Sequence, residues 1–311
     1  MSGLTAELMI DARARLGEGL QLFPDGSMWW VDIPAGRIHR IRDGKSELVL
    51  KVQGEVSKVL PWELGFLVFG REQIIGFDSN GEELVSFMVN SPESNLRCSD
   101  ACVLPDGSVV FGTIDRQLAE ATGSLMYLSR KWETSVIEHG LEIPNGLGVL
   151  PGDGGVLFVD STSQTVFQFT LSDSGPTPLT RKKVFREIDP DLGVPDGLAM
   201  DSDGGCWIAL WGGGKVIRLN QSGELDCQIE IPTPNPTSCA FDNEHNLWIT
   251  SATETLIHDD FMARGAGGVW MVPARIHGAK GLTPHIAKLK IEADLSSKAT
   301  PPLQRLPATS I

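Results

Sequence analysis

One pattern recurs six times along this chain, and that recurrence restricts the fold more than any single motif does. Each copy has an apolar residue, a tight turn built from Pro, Asp, Asn and Gly, an alternating strand and then a second strand. The first copies are LFPDGSMWWVDIPAGRIHRI (22–41), VLPWELGFLVFGREQIIGFD (59–78) and VLPDGSVVFGTID with GSLMYL (103–115, 123–128). The others are VLPGDGGVLFVDSTSQTVFQF (149–169), MDSDGGCWIALWGGGKVIRL (200–219) and FDNEHNLWITSA with GGVWMVP (241–252, 267–273). Asp-Gly at 25–26, 106–107 and 203–204 permits the positive φ that hairpins between twisted strands require. The flanking runs alternate and are rich in β-branched and aromatic residues, and no helical period lasts beyond about two turns. A spacing of roughly 40 to 50 residues is that of a four-stranded propeller blade, which cannot bury both faces alone and must stack on neighbours.

The expected fold is therefore all-β, a six-bladed β-propeller over residues 1–291. A β-sandwich, or a pair of them, is the rival architecture. Segments 5–13 and 284–291 (PHIAKLKI) are expected to pair and close the ring, and GGG at 212–214 reads as a tight strand turn. From 292 to 311 the chain is polar and contains several prolines, as in a loosely ordered tail.

The formal net charge of −14, with no basic cluster, argues against a nucleic-acid partner, because displacing counterions from phosphates needs a basic surface. No apolar run approaches the roughly 18 residues of a membrane span, and the N-terminus lacks a secretory pattern. Five scattered cysteines (98, 102, 206, 227 and 239) read as reduced thiols in a cytoplasmic protein, Cys98 and Cys102 as small buried hydrophobes. The six histidines show no metal-ligand spacing, and there is no G-x-S-x-G elbow for a serine hydrolase.

In a propeller, a ligand site at the channel draws one residue from each of several repeats. The polar residues in matching places are Glu18 in LGEG, Arg97 to Asp100 in RCSD, Asn145 in PNG and Asp196 in PDG. Two carboxylates and an amide oxygen make an oxygen-only site suited to a hard divalent cation. Ordinary turn chemistry explains Asn145-Gly146 and Asp196-Gly197 equally well, but Glu18 between two glycines is a poor turn residue. Asp100 reads as a loop support more than a ligand, and Trp211 as either a sugar platform or core packing.

These segments resemble the senescence-marker-protein, gluconolactonase and luciferin-regenerating-enzyme family, which includes regucalcin and bacterial sugar lactonases. LGEG (16–19), RCSDACVLPDGSVVFGTID (97–115), IPNGLGVLP (143–151), GVPDGLAMDSDGGCWIALWGGGKVIRL (193–219) and PTSCAFDNEHNLWITSA (236–252) carry the resemblance, which spans about 10 to 275. It implies one divalent ion held by Glu18, Asn145 and Asp196: Ca²⁺ first, with Mg²⁺, Mn²⁺, Zn²⁺ and Fe²⁺ as alternatives. It implies hydrolysis of a sugar lactone, with Arg97 on substrate oxygens; Asp196 is the candidate general base for the attacking water. The family usually has Asn where this chain has Ser99, a shorter side chain that would add a hydrogen bond to substrate. A calcium-binding regulatory protein and an esterase or phosphotriesterase are the alternative functions, and the chain is expected to act as a monomer or homodimer.

Overall fold

The structure, a computed structural model, describes residues 4–172, 175, 177–256 and 265–291. Two short N-terminal strands, β1 (Leu4–Thr5) and β2 (Glu7–Ile10), precede the repeats. Blade I contains β3 (Gly17–Leu22), β4 (Met28–Asp32), β5 (Arg37–Arg42) and β6 (Lys45–Lys51). Blade II contains β7 (Val56–Trp62), β8 (Gly65–Gly70), β9 (Gln73–Asp78) and β10 (Glu83–Met88). Blade III has β11 (Leu96–Val103), β12 (Val109–Asp115), β13 (Gly123–Leu128) and β14 (Thr134–Leu141). Blade IV has β15 (Pro144–Val149), β16 (Val156–Asp160), β17 (Thr165–Leu171) and β18 (Leu179–Glu187). Blade V has β19 (Val194–Met200), β20 (Cys206–Trp211), β21 (Lys215–Leu219) and β22 (Leu225–Glu230). Blade VI has β23 (Pro236–Phe241), β24 (Leu247–Ser251) and β25 (Val269–Val272), with β2 as its fourth strand. The protein is a six-bladed β-propeller.

The turn chemistry read from the sequence performs as expected. Gly26 and Gly107 adopt φ of 83° and 87°. Beside each glycine an aspartate caps the turn: Asp25 accepts from Ser27 N (3.0 Å), and Asp106 from Ser108 N (2.9 Å). Gly212 and Gly214, at φ of 76° and 59°, form the tight turn between β20 and β21. In blades V and VI the turn aspartates also hold a tryptophan: Asp201 accepts from Trp207 Nε1 (2.9 Å) and Asp242 from Trp248 Nε1 (2.8 Å). Apolar side chains fill the spaces between blades. Trp62, Phe69, Phe111 and Trp132 pack between blades II and III, and Trp207, Phe241 and Trp270 between V and VI.

Ring closure corrects part of the sequence expectation. Segment 5–13 does help to close the ring, but β2 pairs antiparallel with β25 (Leu8 with Trp270), and not with 284–291. β1 adds in parallel to β22, so the N-terminus ties blade V to blade VI. Segment 284–291 instead runs as a strap beneath blades II and III. Its alternation is real, with Ala287 and Leu289 fully buried. Yet it bridges Trp62 only at Ala287, and its carbonyls at Leu289 and Lys290 accept the indole N–H groups of Trp62 (3.0 Å) and Trp132 (3.1 Å). Alternation makes a segment extended; it does not name its partner. The tail from 292 lies outside the described residues.

On β5, His39 stacks against Trp30 with ring centroids 4.3 Å apart, and burial, aided by Arg37, pushes its pKa down to about 4. Protonation is thus disfavoured in the folded chain, so the stability linked to this ring is intact above its ordinary value of 6.5 and drains away as pH falls toward 4. Lowering the pH from 7 to 4.5 should remove about 2 kcal/mol through this residue. His39→Phe should flatten the corresponding limb of a Tm-against-pH curve. An unchanged limb would show that the ring does not control it.

Candidate functional site

Every inner strand carries a register irregularity near its start. The breaks lie between Glu18 and Gln21, Val56 and Lys58, Cys98 and Ala101, Pro144 and Leu147, Pro195 and Leu198, and Pro236 and Cys239. A bulge re-aims a side chain that a regular strand would alternate away. Here Glu18, Ser57, Ser99, Asp100, Asn145 and Asp196 all come to line one cavity of about 830 Å³ at the entry end of the channel. Arg97 and Trp211 line the same cavity, as do Arg15, Arg116, Glu55 and Glu254.

Asn145-Gly146 and Asp196-Gly197 are therefore not hairpin turns but bulges within β15 and β19. Their glycines are needed for close approach: a Cβ at Gly146 would stand 2.5 Å from Asp196 O, and one at Gly197 would stand 2.8 Å from Ser238 Cα. The inner strands crowd together at this level, and only glycine lets their backbones do so.

All the residues singled out from the sequence meet in this cavity, but they are held differently. Glu18 is 9% exposed and accepts one bond, from Gly19 N at 2.7 Å. Asp196 is 7% exposed and accepts from Asn145 Nδ2, which also donates to Ser161 Oγ at 3.3 Å. Ser161 in turn donates to Pro195 O at 2.7 Å, supporting the amide from behind. Ser99 Oγ gives its proton to Pro144 O at 2.5 Å, so toward the cavity it offers lone pairs. The Arg97 guanidinium, which lines the cavity, donates to Cys98 O at 2.9 Å.

Asp100 is fully engaged by the protein. Its Oδ1 accepts from Ala101 N (2.8 Å) and pairs with Lys58 Nζ (2.8 Å), and its Oδ2 accepts from Leu147 N (3.2 Å). Lys58 was not singled out from the sequence. The available signal was a lone charge inside the apolar run VSKVLPW, at the head of one of the two repeats that supplied no candidate. At the rim, Arg15 pairs with Glu254 at 3.2 Å, and Arg116 pairs with Glu55.

The electrostatics favour a cation. Burial, with the charge of Asp100 adding to it, pushes the Glu18 carboxyl up to about 7. Burial raises Asp196 well above the usual carboxylate range, and the charges of Glu18 and Asp100 raise it further. Carboxylates crowded in a poorly solvated channel lose their mutual repulsion when a cation sits among them. Among the described residues no three His, Cys, Asp or Glu side chains gather as a metal-holding group, so a shell here needs the Asn145 amide oxygen beside Glu18 and Asp196. The nearby thiols are poor rivals: burial pushes Cys98 and Cys102 up to about 12. Oxygen donors of this kind suit a hard divalent ion, so the residues present fit one.

Comparison with known proteins follows the same lines. Residues 16–253 match the model of the SMP-30/gluconolactonase/LRE-like region. The chain is 29% identical over 255 residues to a pentonolactonase of Haloferax volcanii, covering 80% of this chain and 86% of the relative. It is 30% identical over 282 residues to an L-arabinolactonase of Azospirillum brasilense, covering 88% and 93%. The crystal structure of a calcium-binding protein, regucalcin, from Agrobacterium tumefaciens superposes with a TM-score of 0.84 at 22% identity, covering 94% of this chain and all of that one. With the family model spanning most of the propeller and its site-bearing strands, this chain belongs to the SMP-30/gluconolactonase/LRE-like family.

Proposed function

We propose that the entry cavity opens a sugar lactone to the sugar acid with the help of one divalent cation, Ca²⁺ first among the candidates. The observation that carries this reading is the arrival of Glu18, Asn145 and Asp196, from three inner strands, in one cavity with Arg97 and Trp211. Glu18, Asn145 and Asp196 would hold the ion. When bound, such an ion polarises a lactone carbonyl and makes a nearby water more acidic.

The chain's own residues do the rest. Asp196 takes the proton of the attacking water, with its carboxylate oriented by Asn145. Arg97 donates to ring oxygens of the sugar, and Ser99 accepts from a sugar hydroxyl because its own proton is committed to Pro144 O. Trp211 is half-buried at the end of β20 and offers an apolar face to the sugar ring. The cavity is large enough for a single monosaccharide with its water. Lactonase names among the relatives support this substrate class.

The test is direct. Protein stripped with a chelator and reloaded with Ca²⁺, Mg²⁺, Mn²⁺, Zn²⁺ or Fe²⁺ is assayed against pentono- and hexonolactones by continuous acid release. Opening above the spontaneous rate with at least one ion is expected. No acceleration with any pair would remove the enzyme reading, and ion binding without turnover would leave a cation-binding protein. Glu18→Gln should weaken divalent binding about tenfold or more, measured calorimetrically, because it removes one charged ligand. Unchanged affinity would exclude Glu18 from the shell.

A further inference from the structure

Lys58 is a buried charged residue of this channel that neither the sequence motifs nor the proposed chemistry accounts for. It is 5% exposed, lies on β7, and reaches across to β11 to pair with Asp100 at 2.8 Å. The pair stands at the waist of the channel. Asp100 lines the entry cavity, whereas Lys58 lines a second, smaller cavity of about 140 Å³ formed by the far ends of the inner strands. Gly19, the bulge residue after Glu18, holds φ of 64° and lets β7 come close: a Cβ there would stand 2.8 Å from Ser57 O and 3.3 Å from Lys58 Cδ.

Stability is a weak reason for such a pair, since burying two charges often costs as much as their attraction returns. Its position is a better one. The ammonium is a cation that cannot leave, placed beneath the carboxylates of Glu18, Asp100 and Asp196. By occupying Asp100 Oδ1 it removes that carboxylate from the set of free donors, and its charge reaches Glu18 as well.

We infer that Lys58 is a built-in counter-ion that sets how tightly the entry cavity holds its divalent cation, weakening the grip by repelling the ion and by keeping Asp100 out of the shell. The inference rests on the cation-binding reading above and deepens it. A modest grip would suit a site in which substrate oxygens must displace others around the ion.

The test measures Ca²⁺ and Mn²⁺ binding by isothermal titration calorimetry on the chelator-stripped full chain, without substrate. Lys58→Met should tighten binding about tenfold or more, since a like charge is removed and a carboxylate released in a low-dielectric site. Asp100→Asn should weaken it by a similar factor, because Lys58 then repels the ion unopposed. Opposite signs are the signature: a pair that merely props up the site would weaken binding in both variants. Lys58→Gln keeps a donor for Asp100 and decides the matter should Lys58→Met fail to fold. Affinity in the lysine variants that is lower, or within twofold of the parent, overturns the inference. A parent chain that binds neither ion fails differently, by removing the cation reading itself.

Discussion

Asp196→Asn should lower kcat/KM for lactone opening about 10³-fold or more, some 4 kcal/mol of transition-state stabilisation, while the folded protein melts no earlier than the parent. The two halves of this result have one cause. Asp196 is buried beside Glu18 and Asp100, and burial followed by their charges raises its pKa well above the usual carboxylate range. Keeping such a carboxylate charged costs folding energy that only a bound cation or a reacting proton recovers. The neutral amide relieves that repulsion and keeps a similar shape, yet it cannot take a proton from water. Loss of activity with an unchanged or higher Tm is a trade of stability for function, which is common where an active site concentrates like charge. Full turnover in this variant would mean that another group removes the proton.

The second large effect is expected at the opposite end of blade V. Asp201 is fully buried and gathers donors from Asp203 N (3.0 Å), Gly205 N (2.8 Å), Trp207 Nε1 (2.9 Å) and Arg218 Nε (2.7 Å). Asp201→Ala removes the acceptor of a buried indole N–H, of two turn amides and of the Arg218 Nε, leaving Asp226 as the arginine's remaining carboxylate, which should cost about 3–5 kcal/mol. For a chain of this size that corresponds to a Tm lower by roughly 10 °C. Activity per folded molecule should be unchanged, because this turn lies away from the entry cavity.

The pH dependence at Asp201 has a definite sign. Burial opposes its charge, but the hydrogen bonds from Arg218, Trp207 and Gly205 outweigh burial and hold its pKa below the ordinary value of 3.8. Its contribution is therefore complete above the ordinary carboxylate range and is lost as pH falls through the lowered value. The alanine variant should accordingly show a shallower loss of stability in acid than the parent. A Tm within about 2 °C of the parent's at neutral pH would contradict the role given to this turn.

Six blades, their hairpins and the level of the site were legible in the sequence because local chemistry decides them. Asp-Gly supplies positive φ at the blade hairpins, as at Gly26 and Gly107, and alternating β-branched and aromatic runs become strands in most surroundings. Glu18, Asn145 and Asp196 could be picked out because equivalent places in successive repeats must converge when the repeats form a ring.

What the tertiary structure alone decided concerns pairing and charge. PHIAKLKI alternates as a strand does, yet the edge of β25 is filled by β2, and the segment was left to strap Trp62 and Trp132 from below. Which partner an extended segment finds depends on which edges remain open after distant parts of the chain have folded. Asn145-Gly146 looks like a turn until the crowding of neighbouring backbones shows why glycine stands there. The lone charge in VSKVLPW marks Lys58 but gives it no role, since a lysine in an apolar run is ordinarily a surface residue. Only the arrival of Asp100 from the next blade, at 2.8 Å, allows its charge to be buried and gives it work in the channel.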